Sequence, residues 1–132
     1  MQPLPLEIYQ VQLPYRLCND FRPAIVIEPP HGGKVVVALI SAEMDLYRGP
    51  AIHFLVDATH PDFPKTGLKK TCYIAGDEIV NANLERLGRK RGILSGELAL
   101  KFNKWIWRPP LSLPRRPFHL PQKLKIAQPR AG

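Results

Sequence analysis

Two apolar segments that lie close together constrain the fold of this chain more than any other feature. Residues 24–28 and 34–40 are rich in valine, isoleucine and alanine, and residues 29–33 between them combine two prolines with two glycines (PPHGG). Apolar runs separated by such a short glycine-containing segment are typical of a β-hairpin. The chain is therefore expected to form an antiparallel sheet around this hairpin, with residues 29–33 as its loop.

The open end of the hairpin brings Arg22 close to Ser41. If Glu28 faces Lys34 as an oppositely charged cross-strand pair, the numbers of paired residues sum to 62. In that register Ser41 points away from Arg22, whereas a one-residue slip or a bulge would place both side chains on one face. The two residues are therefore either part of a site or an ordinary surface arginine and surface serine.

Alternating or apolar segments elsewhere predict further short strands. They lie at residues 7–13, 51–57, 71–75 and 78–80, with Gly76-Asp77 as a turn or bulge between the last two. Residues 58–66 contain two prolines and are expected to be irregular, and the polar residues 83–92 are expected to form at most one helical turn. This order of elements predicts a mainly β (α+β) fold, a small and strongly bent antiparallel sheet or barrel.

The last regular element that the sequence predicts is an amphipathic helix at residues 96–107. Its apolar side chains recur at helical spacing, Ser95 is the expected N-cap, and Pro109-Pro110 ends it. Residues 1–107 are therefore expected to form one domain. Residues 108–132 are rich in proline and are expected to form an extended or disordered tail.

The net charge of +8 is concentrated in this tail. It holds six basic residues and no acidic residue: Arg108, Arg115, Arg116, Lys123, Lys125 and Arg130. A basic segment of this kind indicates a polyanionic partner, of which nucleic acid is the commonest. A solvated tail without a partner has the same composition, so the charge alone does not decide between the two.

Several kinds of site are disfavoured by the sequence. No apolar run is long enough to span a membrane and no secretory signal is present at the N-terminus, so a cytoplasmic location is expected. The histidines and cysteines show no metal-ligand spacing, and no glycine-rich phosphate loop is found. No metal and no cofactor are therefore expected. Cys18 and Cys72 are interpreted as free structural thiols.

One reaction fits a site with neither a metal nor a covalent nucleophile. RNA is cleaved when its own 2′-OH is aligned on the adjacent phosphorus and the charge of the phosphorane is neutralised. The guanidinium of Arg22 can bind phosphate oxygens bidentately, and the hydroxyl of Ser41 can orient the phosphate or the 2′-OH. The pair is compatible with a phosphodiester site without being specific for one.

Four short segments between residues 7 and 107 share their order and spacing with one protein family. They are residues 22–27 (RPAIVI), 40–42 (ISA), 67–77 (GLKKTCYIAGD) and 89–95 (RKRGILS). In these segments the chain resembles the MazF/PemK family of bacterial toxin endoribonucleases, from type II toxin-antitoxin systems. The resemblance implies an SH3-like barrel with a C-terminal helix, a homodimer with RNA along the subunit interface, and a cognate antitoxin that covers this groove.

The resemblance also implies an activity and a set of site residues. The chain would be a toxin-type, sequence-specific endoribonuclease (an mRNA interferase) that cleaves single-stranded mRNA by metal-independent attack of the 2′-OH. Arg22 would be the catalytic arginine, and Ser41 would replace the catalytic threonine while keeping its hydroxyl. The substrate would be contacted by Asp77, Lys69, Lys70 and His31. The general base is not identified, with His31 and His60 as loop candidates.

Two other functional classes are compatible with the same resemblance. One is a non-catalytic protein on the same barrel, which binds nucleic acid through the basic tail or acts on a protein target as gyrase poisons do. The other is a degenerate, inactive homologue. In this sequence Leu6-Glu7 replaces the family's usual Gly-Asp, and Ala75 stands where some members carry an arginine.

Overall fold

The computed structural model of this protein describes residues 2–12 and 21–107. Within these residues six strands form one antiparallel sheet, and an α-helix follows them. The strands are β1 (Glu7–Gln12), β2 (Phe21–His31), β3 (Lys34–Ser41), β4 (His53–Val56), β5 (Cys72–Asn83) and β6 (Leu87–Ile93), and the helix is α1 (Gly96–Ile106). The fold is mainly β with a C-terminal helix, as the sequence predicts. Cys18 and the tail at residues 108–132 lie outside the described residues.

The predicted hairpin lies at the centre of the sheet. The strands follow the order β4-β5-β3-β2-β1-β6, and short 3-10 helices occur at Met44–Leu46, Phe63–Thr66 and Leu84–Arg86. The second of these corrects the expectation that residues 58–66 are irregular. Pro64 falls in its first turn, where the missing amide hydrogen has no hydrogen bond to make.

The turn of the hairpin is shorter than predicted. β2 continues through both prolines to His31, and β3 begins at Lys34. Only Gly32 and Gly33 remain for the turn, with φ of 63° and 79°. Glycine adopts this left-handed backbone without a steric penalty, which explains the paired glycines.

The register at the open end of the hairpin is one residue away from the predicted one. Ala24 pairs with Leu39, so the numbers of paired residues sum to 63 there. The pairing of Glu28 with Lys34, on which the prediction rested, is wrong because Glu28 faces Val36. Between this end and the turn the register changes twice. A β-bulge causes such a change because it inserts an extra residue into one strand only.

β6 is a strand that the sequence did not predict. It combines three basic residues and two glycines, and none of its residues is buried. No apolar alternation therefore marks it, and it pairs with β1 in an irregular register. Its glycines allow close approach of other backbone. A Cβ on Gly92 would clash with the carbonyl oxygen of Lys65, and only a residue without a side chain fits there.

The sheet carries an apolar core on each face. The first core lies between the sheet and α1 and includes Ile8, Ile25, Ile40, Ile74, Leu94 and Phe102. The second core lies on the opposite face and consists of Tyr9, Val11, Ala24, Val26, Val35, Val37 and Leu39. Successive residues of a strand point to opposite faces. Because both faces are covered, β2 and β3 are almost uninterrupted apolar runs.

The N-terminus of α1 is capped by a residue from a distant part of the chain. Ser95 occupies the N-cap position that the sequence predicts, but its side chain makes no capping hydrogen bond. Instead, Oδ2 of Asp62 accepts hydrogen bonds from the amides of Glu97 at 2.9 Å and Leu98 at 3.4 Å. The carboxylate thus satisfies amides that helix termini leave without a partner.

The two tryptophans at the C-terminal end of α1 differ in exposure. Trp105 is buried in the first core and donates its Nε1 hydrogen to the carbonyl oxygen of Pro50 at 2.6 Å. Trp107 is 48% exposed. Neither α1 nor any other helix in residues 2–12 and 21–107 has the length and apolar character needed to cross a bilayer.

Candidate active site

Arg22 and Ser41 lie opposite each other at the open end of the hairpin. The register that pairs Ala24 with Leu39, continued by two residues, pairs Arg22 with Ser41. Directly opposed residues of an antiparallel pair share one face of the sheet, and here it is the face of the second core. The one-residue slip from the predicted register therefore produces the arrangement that the family resemblance requires.

The guanidinium of Arg22 is held over the end of β3. Its Nη2 donates a hydrogen bond to the carbonyl oxygen of Ile40 at 3.1 Å and lies 3.8 Å from Oε1 of Glu78. The side chain is 23% exposed, so solvent reaches it although its direction is fixed. Among the described residues no other partner of this guanidinium is found, which leaves Nη1 and Nε to bind an oxyanion bidentately.

The hydroxyl of Ser41 is oriented by the chain that follows it. Its Oγ accepts a hydrogen bond from the amide of Glu43 at 3.1 Å. Because a hydroxyl is both a donor and an acceptor, this bond occupies a lone pair and leaves the hydroxyl hydrogen to donate to a ligand. Ser41 is half-buried and pairs with Tyr73 of β5, so the row of residues continues onto the next strand.

β5 brings two carboxylates to this end of the sheet through a wide bulge. At one point in the ladder β3 advances by two residues while β5 advances by five. The extra residues of β5 lie within 75–78, and a bulge of this kind bends the strand and redirects its side chains. As a result, Glu78 is directed toward Arg22 and Asp77 toward His53.

Three aromatic rings lie beside the serine. Tyr73 and His53 stack with ring centroids 4.2 Å apart and an angle of 25° between their planes. Tyr47 lies 5.8 Å from Tyr73 and 5.9 Å from His53. Tyr73 and His53 are buried, whereas Tyr47 is partly exposed, so the latter offers a ring on which a nucleobase can stack.

Hydrogen bonding fixes the orientation of His53. Its Nδ1 accepts a hydrogen bond from the amide of Arg48 at 2.9 Å, so the neutral ring carries its hydrogen on Nε2. Nε2 lies 3.5 Å from Oδ1 of Asp77. The ring of His53 is buried, whereas the side chain of Asp77 is 56% exposed. One carboxylate oxygen of Asp77 thus faces the ring, and the rest of that side chain is open to solvent.

The remaining predicted substrate contacts are divided between the two ends of the sheet. Lys69 and Lys70 are exposed and precede β5, at the end where Ser41 pairs with Tyr73. His31 lies at the other end, because β2 separates it from Arg22 by roughly 30 Å of extended chain. The structure therefore does not bring His31 to this site.

Cys72 lies on the other face of β5 and takes no part in this cluster. It belongs to the first core, is 2% exposed, and burial raises the pKa of its thiol to about 11. Such a thiol is protonated at neutral pH and unreactive, in agreement with its interpretation as structural. In the part of the chain that the structure describes, no three acidic, histidine or cysteine side chains are grouped as a metal site.

Sequence reasoning did not identify Glu78, His53 and Tyr73 as neighbours of Arg22 and Ser41. A signal for Glu78 was present in the predicted turn or bulge at residues 76–77, because bulges redirect the side chains beside them. No local signal marks His53. His53 comes close to residues of β5 because β4 pairs with β5.

Comparison with known proteins gives matches among solved structures. No family model and no curated protein sequence matches this chain. An endoribonuclease from a mycobacterial species is similar, with a TM-score of 0.59 and 20% identity over 85% of this chain and 93% of its own. A mycobacterial endoribonuclease in complex with its cognate antitoxin gives 0.58 and 19%, over 79% and 90%. The Mycobacterium tuberculosis toxin MazF-mt6 gives 0.57 and 25%, over 76% and 91%.

These matches cover most of each toxin chain and confirm the resemblance to the MazF/PemK family at the level of the fold. The architecture is the small antiparallel barrel with a C-terminal helix that the resemblance implies. At this sequence identity the similarity establishes the architecture alone.

Proposed function

We propose that this chain is a divergent MazF-type toxin, an endoribonuclease that cleaves single-stranded RNA without a metal ion by attack of the 2′-OH. The observation that carries the proposal is the guanidinium of Arg22, which is held over the end of β3 beside Ser41. The hairpin register, continued to this end, aligns the two residues, and the fold is shared with MazF endoribonucleases. The reaction takes place in the cytoplasm, where its mRNA substrate is found.

Arg22 has the main electrostatic role in this proposal. Its free guanidinium nitrogens bind the non-bridging oxygens of the scissile phosphate and neutralise the charge that develops in the phosphorane. Because Ile40 already holds Nη2 in place, little reorganisation is needed when the charge appears. Loss of one such donor costs about 2.7 to 4 kcal/mol of transition-state stabilisation.

Ser41 has the second role. Its hydroxyl donates a hydrogen bond to a phosphate oxygen, with the amide of Glu43 fixing the position of Oγ. The flanking contacts come from Lys69 and Lys70, which bind phosphates on either side of the cleaved bond, and from Tyr47, which stacks on a base. The net charge of +8 attracts RNA to this surface from a distance.

Two protein partners complete the proposal. One structural neighbour was solved with its cognate antitoxin, which supports an antitoxin that covers the site of this chain. A homodimer is supported by large apolar side chains that solvent reaches, among them Phe21, Leu55 and Trp107 at 48%, 38% and 48% exposure. Light scattering of the purified chain, alone and with its antitoxin, measures both assemblies.

The experiment that tests the activity compares the wild-type protein with Arg22→Ala on a single-stranded RNA, in the presence of a chelator. We expect cleavage at defined sequences that leaves a 2′,3′-cyclic phosphate and a 5′-hydroxyl, and a loss of about 10²-fold or more in Arg22→Ala. Arg89→Ala, which removes an exposed arginine of β6, is the control for charge. Circular dichroism checks that each variant is folded.

A substrate with a 2′-deoxy linkage at the cleaved position separates the alternatives. We expect it to bind and to remain uncut. Equal cleavage of RNA by the wild type and Arg22→Ala, or cleavage of the 2′-deoxy substrate, would contradict the proposal. RNA binding without cleavage would favour a non-catalytic binder, and a stoichiometric, salt-insensitive complex with a protein target would favour the gyrase-poison class.

A further inference from the structure

The bulge of β5 sets two adjacent carboxylates in different surroundings. Asp77 faces the buried ring of His53 at 3.5 Å. Glu78 faces the guanidinium of Arg22 at 3.8 Å and is 48% exposed. Sequence reasoning treats Glu78 as an ordinary strand residue, and the proposed function described above gives it no role.

Attack by the 2′-OH requires a group that accepts its proton. The attacking oxygen lies about 3 to 3.5 Å from the phosphorus in a reactive conformation, and the base lies about 2.6 to 3.2 Å from that oxygen. The base must therefore sit within roughly 7 Å of a phosphate bound by the arginine. Glu78 meets this condition because its carboxylate is already within ion-pair distance of Arg22.

The histidine candidates are occupied or distant. His31 is at the far end of the sheet. His60 has Nε2 3.0 Å from Oε1 of Glu97, and its Nδ1 accepts a hydrogen bond from the amide of Asp62 at 3.0 Å. The acceptor nitrogen of His53 is used by the amide of Arg48. Among the described residues, Glu78 is the one carboxylate within ion-pair distance of Arg22.

We propose that Glu78 is the general base of the cleavage reaction, an inference that rests on the proposed endoribonuclease function. The carboxylate takes the proton of the 2′-OH as the 2′-oxygen forms its bond to phosphorus. The bond from phosphorus to the 5′-oxygen then breaks, and the leaving oxygen takes a proton from solvent. The products are a 2′,3′-cyclic phosphate and a 5′-hydroxyl, and Glu78 returns its proton to water.

Arg22 has a further effect in this arrangement. In the free protein the guanidinium attracts Glu78 and directs its carboxylate into the site. When the phosphate binds to Nη1 and Nε, Glu78 stays beside Nη2 and within reach of the neighbouring 2′-OH. Among the described residues, the charged or titratable groups at this end also include Asp77 on β5, His53 on β4 and Glu43 after β3. Lys69 and Lys70 before β5 and the rings of Tyr47 and Tyr73 lie there as well.

The test measures the dependence of kcat/KM on pH for the wild type and Glu78→Gln, using the full chain and a fixed RNA substrate. We expect Glu78→Gln to lose 10²- to 10⁴-fold in kcat, the range typical of a general base, with KM changed little. The residual activity should lack the acid limb that protonation of Glu78 gives the wild-type profile. Glu78→Asp should recover part of the loss, because it keeps a carboxylate.

Glu85→Gln is the matched control. This exposed carboxylate lies in the 3-10 helix after β5, at the end of the sheet where Lys34 pairs with Asn83. It should keep both the wild-type rate and the acid limb. Circular dichroism and the midpoint of thermal unfolding confirm that the variants are folded.

Two results would overturn the assignment while leaving the proposed function intact. If Glu78→Gln cleaves as fast as the wild type with the same acid limb, the limb belongs to Asp77, His53 or Glu43. If it cleaves faster with a lower KM, Glu78 competes with the phosphate for Arg22 and acts as an inhibitor. Failure of the wild type to cleave RNA would instead refute the proposed function, and the assignment with it.

Discussion

At the scale of single residues, the site depends on groups that are held by the backbone rather than by other side chains. The carbonyl of Ile40 fixes Arg22, the amide of Glu43 fixes Ser41, and the amide of Arg48 fixes His53. Backbone groups keep their positions when neighbouring side chains change. Substitutions in this cluster should therefore affect chemistry more than folding, and the effects can be separated by measuring both.

Ser41→Ala tests whether the hydroxyl acts in the reaction. We expect a decrease of about 10²-fold in the single-turnover rate of RNA cleavage, because one donor to the phosphate is lost. Ser41→Thr keeps the hydroxyl and should remain within a few-fold of the wild type. If the alanine variant is as fast as the threonine variant, Ser41 does not contact the phosphate.

Glu7 makes stability depend on pH. Burial raises the pKa of its carboxyl, but hydrogen bonds from the Leu4 amide, Lys90 and the Tyr9 hydroxyl outweigh burial, so the pKa is lowered from 4.5. A lowered pKa adds stability above the unfolded value, and this stability is lost as the pH falls below it. Glu7→Gln should therefore flatten the dependence of unfolding free energy on pH below about 5.

Urea denaturation at a series of pH values measures this effect. Glu85→Gln, which removes an exposed carboxylate, should keep the wild-type dependence. The same dependence in Glu7→Gln and the wild type would show that another group controls acid stability.

At the scale of secondary-structure elements, connections between distant segments determine where the helix and the bulge lie. α1 begins where Asp62 accepts its amide hydrogens, and Gly96, with φ of 59°, allows the close approach of that carboxylate. β5 bulges where Gly76 packs beneath Trp105. Both elements carry local sequence signals, but their positions are set by contacts made across the fold.

Asp62→Ala should destabilise the protein by about 1 to 2 kcal/mol, because α1 loses the acceptor for its first amides. Ser95→Ala should change the stability by much less, since the Ser95 side chain makes no capping bond. Urea denaturation of both variants checks this order. The reverse order would mean that Ser95 caps the helix in solution.

Gly76→Ala should destabilise the protein by about 1 to 3 kcal/mol through overpacking. A Cβ there would lie 2.7 Å from the carbonyl oxygen of Ile52 and 2.8 Å from the ring of Trp105. RNA cleavage should decrease as well, because the bulge carries Glu78. Gly88→Ala is the control, since its Cβ would lie 3.3 Å from the exposed ring of Phe21 and 3.5 Å from the carbonyl oxygen of Gln10. Equal stability and activity of both variants would contradict this account.

At the scale of the whole molecule, positive charge should govern the affinity for RNA. For an uncleavable 2′-deoxy single strand, the logarithm of the binding constant should fall linearly with that of the salt concentration, by about 0.7 per phosphate contacted. Replacing Arg115 and Arg116 by serine should reduce this slope by about 1 to 2 if both contact phosphates. Fluorescence anisotropy measures the slope, and an unchanged value would exclude the two residues from the interface.

The sequence by itself determined the hairpin, most of the strands, the C-terminal helix and the resemblance to a toxin family. These features depend on apolar periodicity and on turn residues that act over a few positions. It did not determine β6. Glycines and charged residues make up most of this edge strand, and its extended conformation depends on its pairing with β1.

Only the tertiary structure decided which residues share the site with Arg22. Two irregularities in the hairpin set the register that aligns Ser41 with Arg22, and a bulge in β5 directed Glu78 toward the guanidinium. A shift of one residue in a strand moves every side chain to the other face, and such shifts arise from contacts between strands. For this reason the sequence identified both members of the Arg22 and Ser41 pair, and the fold determined how they face each other.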